Sequence, residues 1–225
     1  MTALALFDLD HTLLDGDTDV LWCEFLMARG ELDRNAFEPR NRAMEERYKA
    51  GTVGVREFCD FYVGTLAGRS PAQWAAARAA FFGQCIAPRL LPAGRDCIAR
   101  HRSKGDTVVL TTATNRFLVE PTAAALSIAH LIATECETDA QGRFTGRVAG
   151  EPNMREGKLA RLQTWLEARG QTLASQSTTF YSDSINDAPL LRAVGTPVAV
   201  NPDAQLRAEA DARGWAVQRW RSHPG

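Results

Sequence analysis

The stretch ALFDLDHTLLDGDT, residues 5–18, runs an unbroken apolar segment straight into acids: Asp8, Asp10, Asp15 and Asp17. An apolar run without polar alternation is buried on both faces, which is how a central strand of a parallel sheet reads. Ending such a strand on two carboxylates sets like charges at the edge of a low-dielectric core, where each disfavours the ionised form of the other. The remaining chain therefore has two tasks. It must cover both faces of a sheet, and it must supply partners for those acids.

Residues 17–88 read as helical throughout. Phe58, Phe61, Tyr62 and Leu66 fall at helical spacing, as do Trp74, Phe81, Phe82, Cys85 and Ile86. Gly51, Gly54, Gly68 and Pro71 punctuate the segments. The region is expected to be a small helical bundle of its own. From about residue 90 the texture changes to strands at 106–112, 132–135, 177–182 and 197–200, with a hairpin arm at 142–148. Between them lie helices at 156–169, 188–193 and 203–212, the first carrying Leu159, Leu162, Trp165 and Leu166 on one side. Strands alternating with helices predict a parallel sheet covered on both faces. The expected fold is α/β: a doubly wound, Rossmann-like parallel sheet core, residues 1–16 and 89–225, with a helical domain, 17–88, inserted after the first strand. In such sheets ligands sit beyond the carboxyl ends of the strands.

Bulk properties narrow the function. A chain of 225 residues suits one large domain or a core with a smaller module. The formal net charge of −1 offers no basic field for nucleic acid or an anionic membrane surface. The arginine-rich tail from Arg213 to Arg221 reads as solvated surface. No apolar run approaches the roughly 20 residues of a membrane span. The N-terminal apolar run has no basic segment before it and ends in aspartates, so it reads as a strand and not as a signal peptide. Five dispersed cysteines without a Cys-x-x-Cys predict reduced thiols and a cytoplasmic protein. The four histidines lie far apart, and no zinc site is expected.

Reactive groups stand at the predicted strand ends and near one helix start: Asp8 and Asp10, Thr111 and Thr112, Lys158, then Asp183, Asn186 and Asp187. Singly, each has an ordinary structural use. Asp8 and Asp10 serve as turn acids, Thr112 as a helix cap, Lys158 as a surface lysine, and Asp187 as an N-cap ahead of Pro189. A calcium loop is excluded by register. Starting from Asp8, the positions that need Gly and Glu hold Leu13 and Asp19; starting from Asp15, they hold Val20 and Leu26. Taken together, the groups describe one pocket.

The pattern resembles the haloacid dehalogenase superfamily, whose four motifs are matched in order across nearly the whole chain. They are Asp8-Leu9-Asp10-His11-Thr12 after a strand, Thr112 at a strand end, Lys158, and the acidic loop Asp183 to Asp187. The helical insert is similar to the cap of the phosphoserine-phosphatase-like branch, subfamily IB. The resemblance implies a Mg²⁺-dependent phosphatase that hydrolyses a small-molecule phosphate monoester through an aspartyl phosphate. Asp8 is then the nucleophile; a carboxylate is ionised at neutral pH and needs no base to activate it. The Asp8 side chain, the Asp10 backbone carbonyl and the Asp183 side chain are the implied Mg²⁺ ligands, a hard oxygen set. Asp10 is the implied general acid and base. Thr112 and the amides after it hold the phosphoryl oxygens, as helix N-termini do for anions. Lys158 pairs with the phosphate and Asp8, Asp187 fixes Lys158, Asn186 shapes the loop, and Thr12 sets the turn by local hydrogen bonds. The alternatives are a phosphotransferase or phosphomutase using the same intermediate, and a binding protein that keeps the fold; binding alone requires no nucleophile paired with an acid.

Substrate is read from the departures. Phosphoserine phosphatases carry an acid nine residues after the nucleophile that meets the substrate amine. Asp17 stands there, with helix capping as its other reading. Their cap arginines, which receive the substrate carboxylate, are replaced by Asp60 and Tyr62 in FCDFYVG, and two glycines of the second motif by Ala113-Thr114-Asn115. These changes point from phosphoserine toward an amine without a carboxylate, such as L-histidinol phosphate, on which some bacterial members of the branch act. Asp17, Asp60 and Tyr62 are expected at the amine or imidazole, with Thr112, Ala113 and Asn115 also at the substrate. Asn115 and Arg116 are expected to face the crevice. His11 is expected to point away from Asp10, outside the chemistry.

Overall fold

A computed structural model of the protein describes residues 3–49 and 52–221. Its strands are β1 (Leu4–Phe7), β2 (Thr107–Asn115), β3 (His130–Thr138), β4 (Phe144–Ala149), β5 (Thr178–Ser182), β6 (Thr196–Val200) and β7 (Ala216–Gln218). They form one sheet in the order β4-β3-β2-β1-β5-β6-β7. Every neighbouring pair is parallel except β3 and β4, which are antiparallel. All four residues of β1 are buried, and they pair with Thr107–Leu110 on one side and Thr178–Tyr181 on the other. The strand order reverses at β1, so the crevice of this doubly wound sheet opens at the end of the strand that carries Asp8.

The long connection from β1 to β2 contains α1 (Thr18–Ala28), α2 (Arg34–Lys49), α3 (Val55–Val63), α4 (Pro71–Phe81) and α5 (Pro92–Ser103). Then follow α6 (Arg116–Ala125), α7 (Glu156–Glu167), α8 (Ala188–Ala193) and α9 (Ala204–Arg213). Strand alternation sorts them onto two faces. Leu4 and Leu6 pack with Leu162 and Leu166 of α7, Leu190 and Leu191 of α8 and Leu206 of α9. Ala5 and Phe7 belong to the other cluster, with Cys97 and Ile98 of α5 and Leu118 of α6. Among the described residues, no helix is long and apolar enough to cross a membrane.

Three expectations change. The insert does not keep a core to itself. Trp22, Phe25, Leu26, Trp74 and Phe81 join the same apolar cluster as Ala5 and Phe7, and only a small group around Cys23, Phe37 and Tyr62 is separate. A few short helices bury too little apolar surface alone. Trp22 is the hinge of this shared packing, edge-on to Trp74 and Phe81 with ring centroids 5.4 and 5.1 Å apart. Second, β2 continues to Asn115, because Asn115 and not Thr112 caps the next helix: its Oδ1 accepts from Leu118 N at 3.1 Å. Third, the tail read as solvated surface contains β7, paired with β6, and buries Trp220 to 8% exposure. A three-residue edge strand among arginines carries no apolar periodicity to find it by.

Because the insert and the sheet share one cluster, Trp22→Ala should destabilise the whole chain by about 3–5 kcal/mol. Urea unfolding of the wild type, followed by tryptophan fluorescence and far-ultraviolet circular dichroism, should give coincident transitions. Two separate transitions would show that the insert unfolds independently.

Candidate active site

The site is built around one buried ammonium. Lys158 Nζ donates to Asp8 Oδ1 at 2.9 Å and to the Asp187 carboxylate at 2.7 Å. All three residues are buried. Asp8 leaves β1 still in the ladder, its N–H donating to Tyr181 O at 2.9 Å. Asp187 also accepts from Ser182 Oγ at 2.6 Å. Lys158 reaches them because the start of α7 is held close. Asn153 Nδ2 donates to Thr111 Oγ1, Thr112 O and Ile132 O at 2.9–3.0 Å, which ties the preceding loop to β2 and β3. Gly157 lets that turn close, since a Cβ there would lie 2.2 Å from Pro152 O.

Asp10 is held from three directions. It accepts from Thr18 N at 2.7 Å, from the Thr18 hydroxyl, and from Thr114 Oγ1 at 2.7 Å, with Thr112 Oγ1 more distant at 3.4 Å. Thr12 Oγ1 donates to Asp183 Oδ1 at 3.2 Å, so the first and fourth motifs touch directly. Asn186 accepts from Arg155 Nε at 3.3 Å and donates to Ser184 Oγ at 3.2 Å.

Burial pushes the Asp8 carboxyl up to about 7, with the charges of Asp187 and Asp10 adding and Lys158 opposing. Burial also pushes Asp17 up to about 7, helped by Asp10, and raises Asp19 and Asp183 well above the usual carboxylate range. Burial alone would lower Lys158, but the charges of Asp187 and Asp8 raise it, so it stays an ammonium.

These groups open into a crevice of ≈ 190 Å³. That is below the ~300–1,000 Å³ common for ligand pockets and suits a small polar molecule. Of the residues expected at a substrate, Asp17 and Ala113 line it. Asp17 is also the N-cap of α1, accepting from Val20 N at 2.9 Å, so both of its readings hold. Four others do not line it. Asp60 turns to the sheet edge and accepts from Val148 N at 2.7 Å. Tyr62 is buried among the α-helices and donates to Asn41 Oδ1 at 3.0 Å. Asn115 is the α6 cap. Thr112 is fully buried, with its hydroxyl on Asp10 and Thr114 N. Nor does Arg116 face the crevice: it forks onto Glu135 at 2.9 Å. Asp19, Tyr48, Phe58, Thr114, Met154 and Ser184 line the crevice and were missed. Asp19 reaches the crevice from the first turn of α1, just past the Asp17 cap; Tyr48 and Phe58 are brought in only by tertiary packing. His11 also lines the crevice, because its φ of 57° breaks the strand alternation that would have turned it away.

Comparison with known proteins places this geometry. The haloacid dehalogenase-like hydrolase family matches residues 5–192. The chain belongs to that family. It is 40% identical over 218 residues to a histidinol-phosphatase of Neisseria meningitidis serogroup C (strain 8013), covering 96% of this chain and 98% of that protein. It is 33% identical over 229 residues to phosphoserine phosphatase SerB1 of Mycobacterium tuberculosis, covering 98% and 72%. A crystal structure of a protein of unknown function from Bordetella pertussis Tohama I superposes with a TM-score of 0.91 at 43% identity, covering 97% of this chain and 99% of that one.

The donor set of this hydrolase fits Mg²⁺. Asp8, Asp10, Asp183 and Asp187 meet a single lysine: Asp8 shares it with Asp187, and Asp183, raised by burial, accepts from the neutral Thr12 hydroxyl, so a hard cation would balance the excess. Among the described residues no group of three or more His, Cys, Asp or Glu side chains is placed to hold a metal ion by itself. Mg²⁺ does not need one, since it keeps waters and binds through one or two carboxylates.

A pH test follows from Asp17. Its folded value, about 7, lies above the ordinary 3.8, so its contribution to stability is present at low pH and lost as pH rises through about 7. Asp17→Asn keeps the cap oxygen and removes the charge. Its melting temperature should match wild type near pH 4 and exceed it near pH 8, both metal-free. An equal difference at both pH values would contradict the assigned burial cost.

Proposed function

We propose that this chain, a phosphoric monoester hydrolase of the haloacid dehalogenase-like family, cleaves a small-molecule phosphate ester through a phosphoryl group carried on Asp8. The observation that carries the reading is the ammonium of Lys158 bridging Asp8 and Asp187 at 2.9 and 2.7 Å in the crevice wall. That bridge points one Asp8 oxygen at Lys158 and leaves the other for phosphorus. An Asp8 oxygen forms the new P–O bond as the ester oxygen leaves, and Asp10 gives that oxygen its proton. Asp10 then takes a proton from water, whose oxygen attacks phosphorus, releases inorganic phosphate and restores Asp8. The three hydrogen bonds to Asp10 from Thr18 and Thr114 keep its carboxyl aimed through both steps. Mg²⁺, held by the Asp8 and Asp183 carboxylates and the Asp10 carbonyl, supplies neutralising charge for the phosphate when bound. Lys158 adds a second positive charge, and Ala113 and Thr114 face the phosphoryl group from the end of β2.

For the substrate, we propose L-histidinol phosphate. The 40%-identical relative bears the name histidinol-phosphatase. The wall away from Lys158 supports the same choice: Asp17 and Asp19 offer negative charge, and the stacked rings of Tyr48 and Phe58, centroids 4.2 Å apart, offer a flat apolar face. Among the described residues no arginine is part of the crevice wall, and Lys158 is already paired with Asp8 and Asp187, which disfavours a substrate carboxylate. In this reading residues 17–88 act as the cap that reads the substrate, and residues 1–16 and 89–225 are the catalytic core.

The test is phosphate release with Mg²⁺ from histidinol phosphate, phosphoserine and p-nitrophenyl phosphate. Histidinol phosphate should give kcat/KM at least about tenfold above phosphoserine, a difference of ~1.4 kcal/mol in transition-state binding. Asp8→Asn should lower kcat by at least ~10³-fold with every ester. Activity that survives Asp8→Asn would overturn the mechanism; a preference for phosphoserine would overturn the substrate.

A further inference from the structure

The loops that carry Asp8–Thr12 and Asp183–Asp187 come from different strands, β1 and β5, yet one short segment after β6 touches both. Asn201 Nδ2 donates to His11 O at 3.5 Å. Two residues on, Asp203 N donates to Asp183 O at 2.8 Å, and Asp203 Oδ2 accepts from Ile185 N at 2.9 Å. The end of the described chain locks onto the same segment. Asn201 Oδ1 accepts from Trp220 N at 2.8 Å and Arg221 N at 3.3 Å. The Arg221 guanidinium then reaches back to His11, with Nη2 2.9 Å from Nδ1 and 3.3 Å from the carbonyl, and pairs through Nε with Asp15 at 2.9 Å. Arginine has no acceptor to offer, so His11 Nδ1 accepts and the proton of a neutral ring sits on Nε2. Trp220 anchors the tail from beneath, its buried ring 5.6 Å from that of Tyr181.

Two backbone conformations mark this contact as built. His11 has φ 57° and Asn201 φ 44°, both in the left-handed region that costs most non-glycine residues energy. His11 stands between Asp10 and Thr12, where a glycine would relieve the cost but remove the imidazole that Arg221 holds. Asn201 tolerates its turn better than most residues, and its amide there serves His11 with one end and the tail with the other.

We propose that Asn201, Asp203 and Arg221 form a positioning brace that sets the spacing between the Asp8–Asp10 loop and the Asp183–Asp187 loop, and so the affinity of the site for Mg²⁺. The proposal rests on the function assigned above. A plain surface role makes a different prediction: a partly exposed arginine–carboxylate pair contributes little to stability and nothing to a site it does not touch. Partners behind metal ligands, by contrast, change affinity or activity by about 10–100-fold when removed.

The experiment titrates Mg²⁺ into purified wild type, Arg221→Ala, Arg221→Lys and Asn201→Gly by calorimetry, and measures kcat and KM at saturating Mg²⁺. Asn201→Gly keeps the left-handed turn and deletes only the amide, so it folds even where Ala at this position would strain. Arg221→Ala and Asn201→Gly should each weaken Mg²⁺ binding about tenfold and lower kcat more than they raise KM. Arg221→Lys, which keeps the charge near Asp15 but loses the fork on His11, should fall between. Mg²⁺ affinity and kcat equal to wild type in both Arg221→Ala and Asn201→Gly would overturn the brace. If wild type itself neither binds Mg²⁺ nor releases phosphate, the functional reading fails first, and the Asp8→Asn comparison reports that separately.

Discussion

The contact between Lys158 and its two carboxylates governs the rest of this structure. Three charged groups taken out of water carry a large desolvation cost, which their attraction offsets only when the geometry is good and the remaining polar atoms are satisfied. Here those conditions are met by neighbours whose main task is to hold the trio. Ser182 fills a second site on Asp187, and Asn153 pins the loop ahead of α7 to two strands. Gly157 is required because any side chain would strike Pro152 O. Removing the lysine would leave two buried acids facing each other, so the sheet, the loop and the helix start are committed to keeping it.

The trio still leaves negative charge in excess. Asp10 is held only by hydroxyls and one amide, none of them charged, and Asp183 has Thr12 as its side-chain hydrogen-bonding partner. A fold that concentrates carboxylates this way, with burial raising several of them, is poised for a cation and an anion arriving together. Phosphoryl transfer depends mainly on positioning and electrostatics, and both are set here before substrate enters. The helices between β1 and β2 extend that arrangement. Their shared packing with Phe7 and Ala5 fixes α1 to the sheet, which keeps Thr18 on Asp10 and Asp17 and Asp19 on the crevice wall.

How much of this was legible follows from where the information lies. Asp8, Asp10, Lys158, Asp183 and Asp187 were visible because each stands at the end of a strand or start of a helix whose apolar pattern is local. The sheet was legible for the same reason. Tyr48 and Phe58 were not, since they reach the crevice from α2 and α3 through packing that no short-range pattern encodes. Asp60 and Tyr62 misled because a register borrowed from other caps assumes the same helix rotation; here α3 turns Asp60 onto the edge strand β4, where Val148 N needs an acceptor. Asn115 misled because its distance from the strand end was judged against Thr112, while β2 in fact runs three residues further.

The tail shows the limit most clearly. Arg213 to Arg221 looks solvated because arginine is polar, but an arginine side chain covers apolar surface with its stem while its head finds partners. Trp220 supplies the apolar anchor and Arg221 the head, and the head reaches His11, a residue that strand alternation would have turned away. The strain at His11 is local, whereas its compensation comes from residues 201 and 221, almost a full chain length away. A conformation held from that distance cannot be inferred from its neighbours in sequence. It depends on the sheet first bringing β6 and β7 beside β5, so the order of the strands, more than any motif, decides how the Asp8–Thr12 loop is shaped.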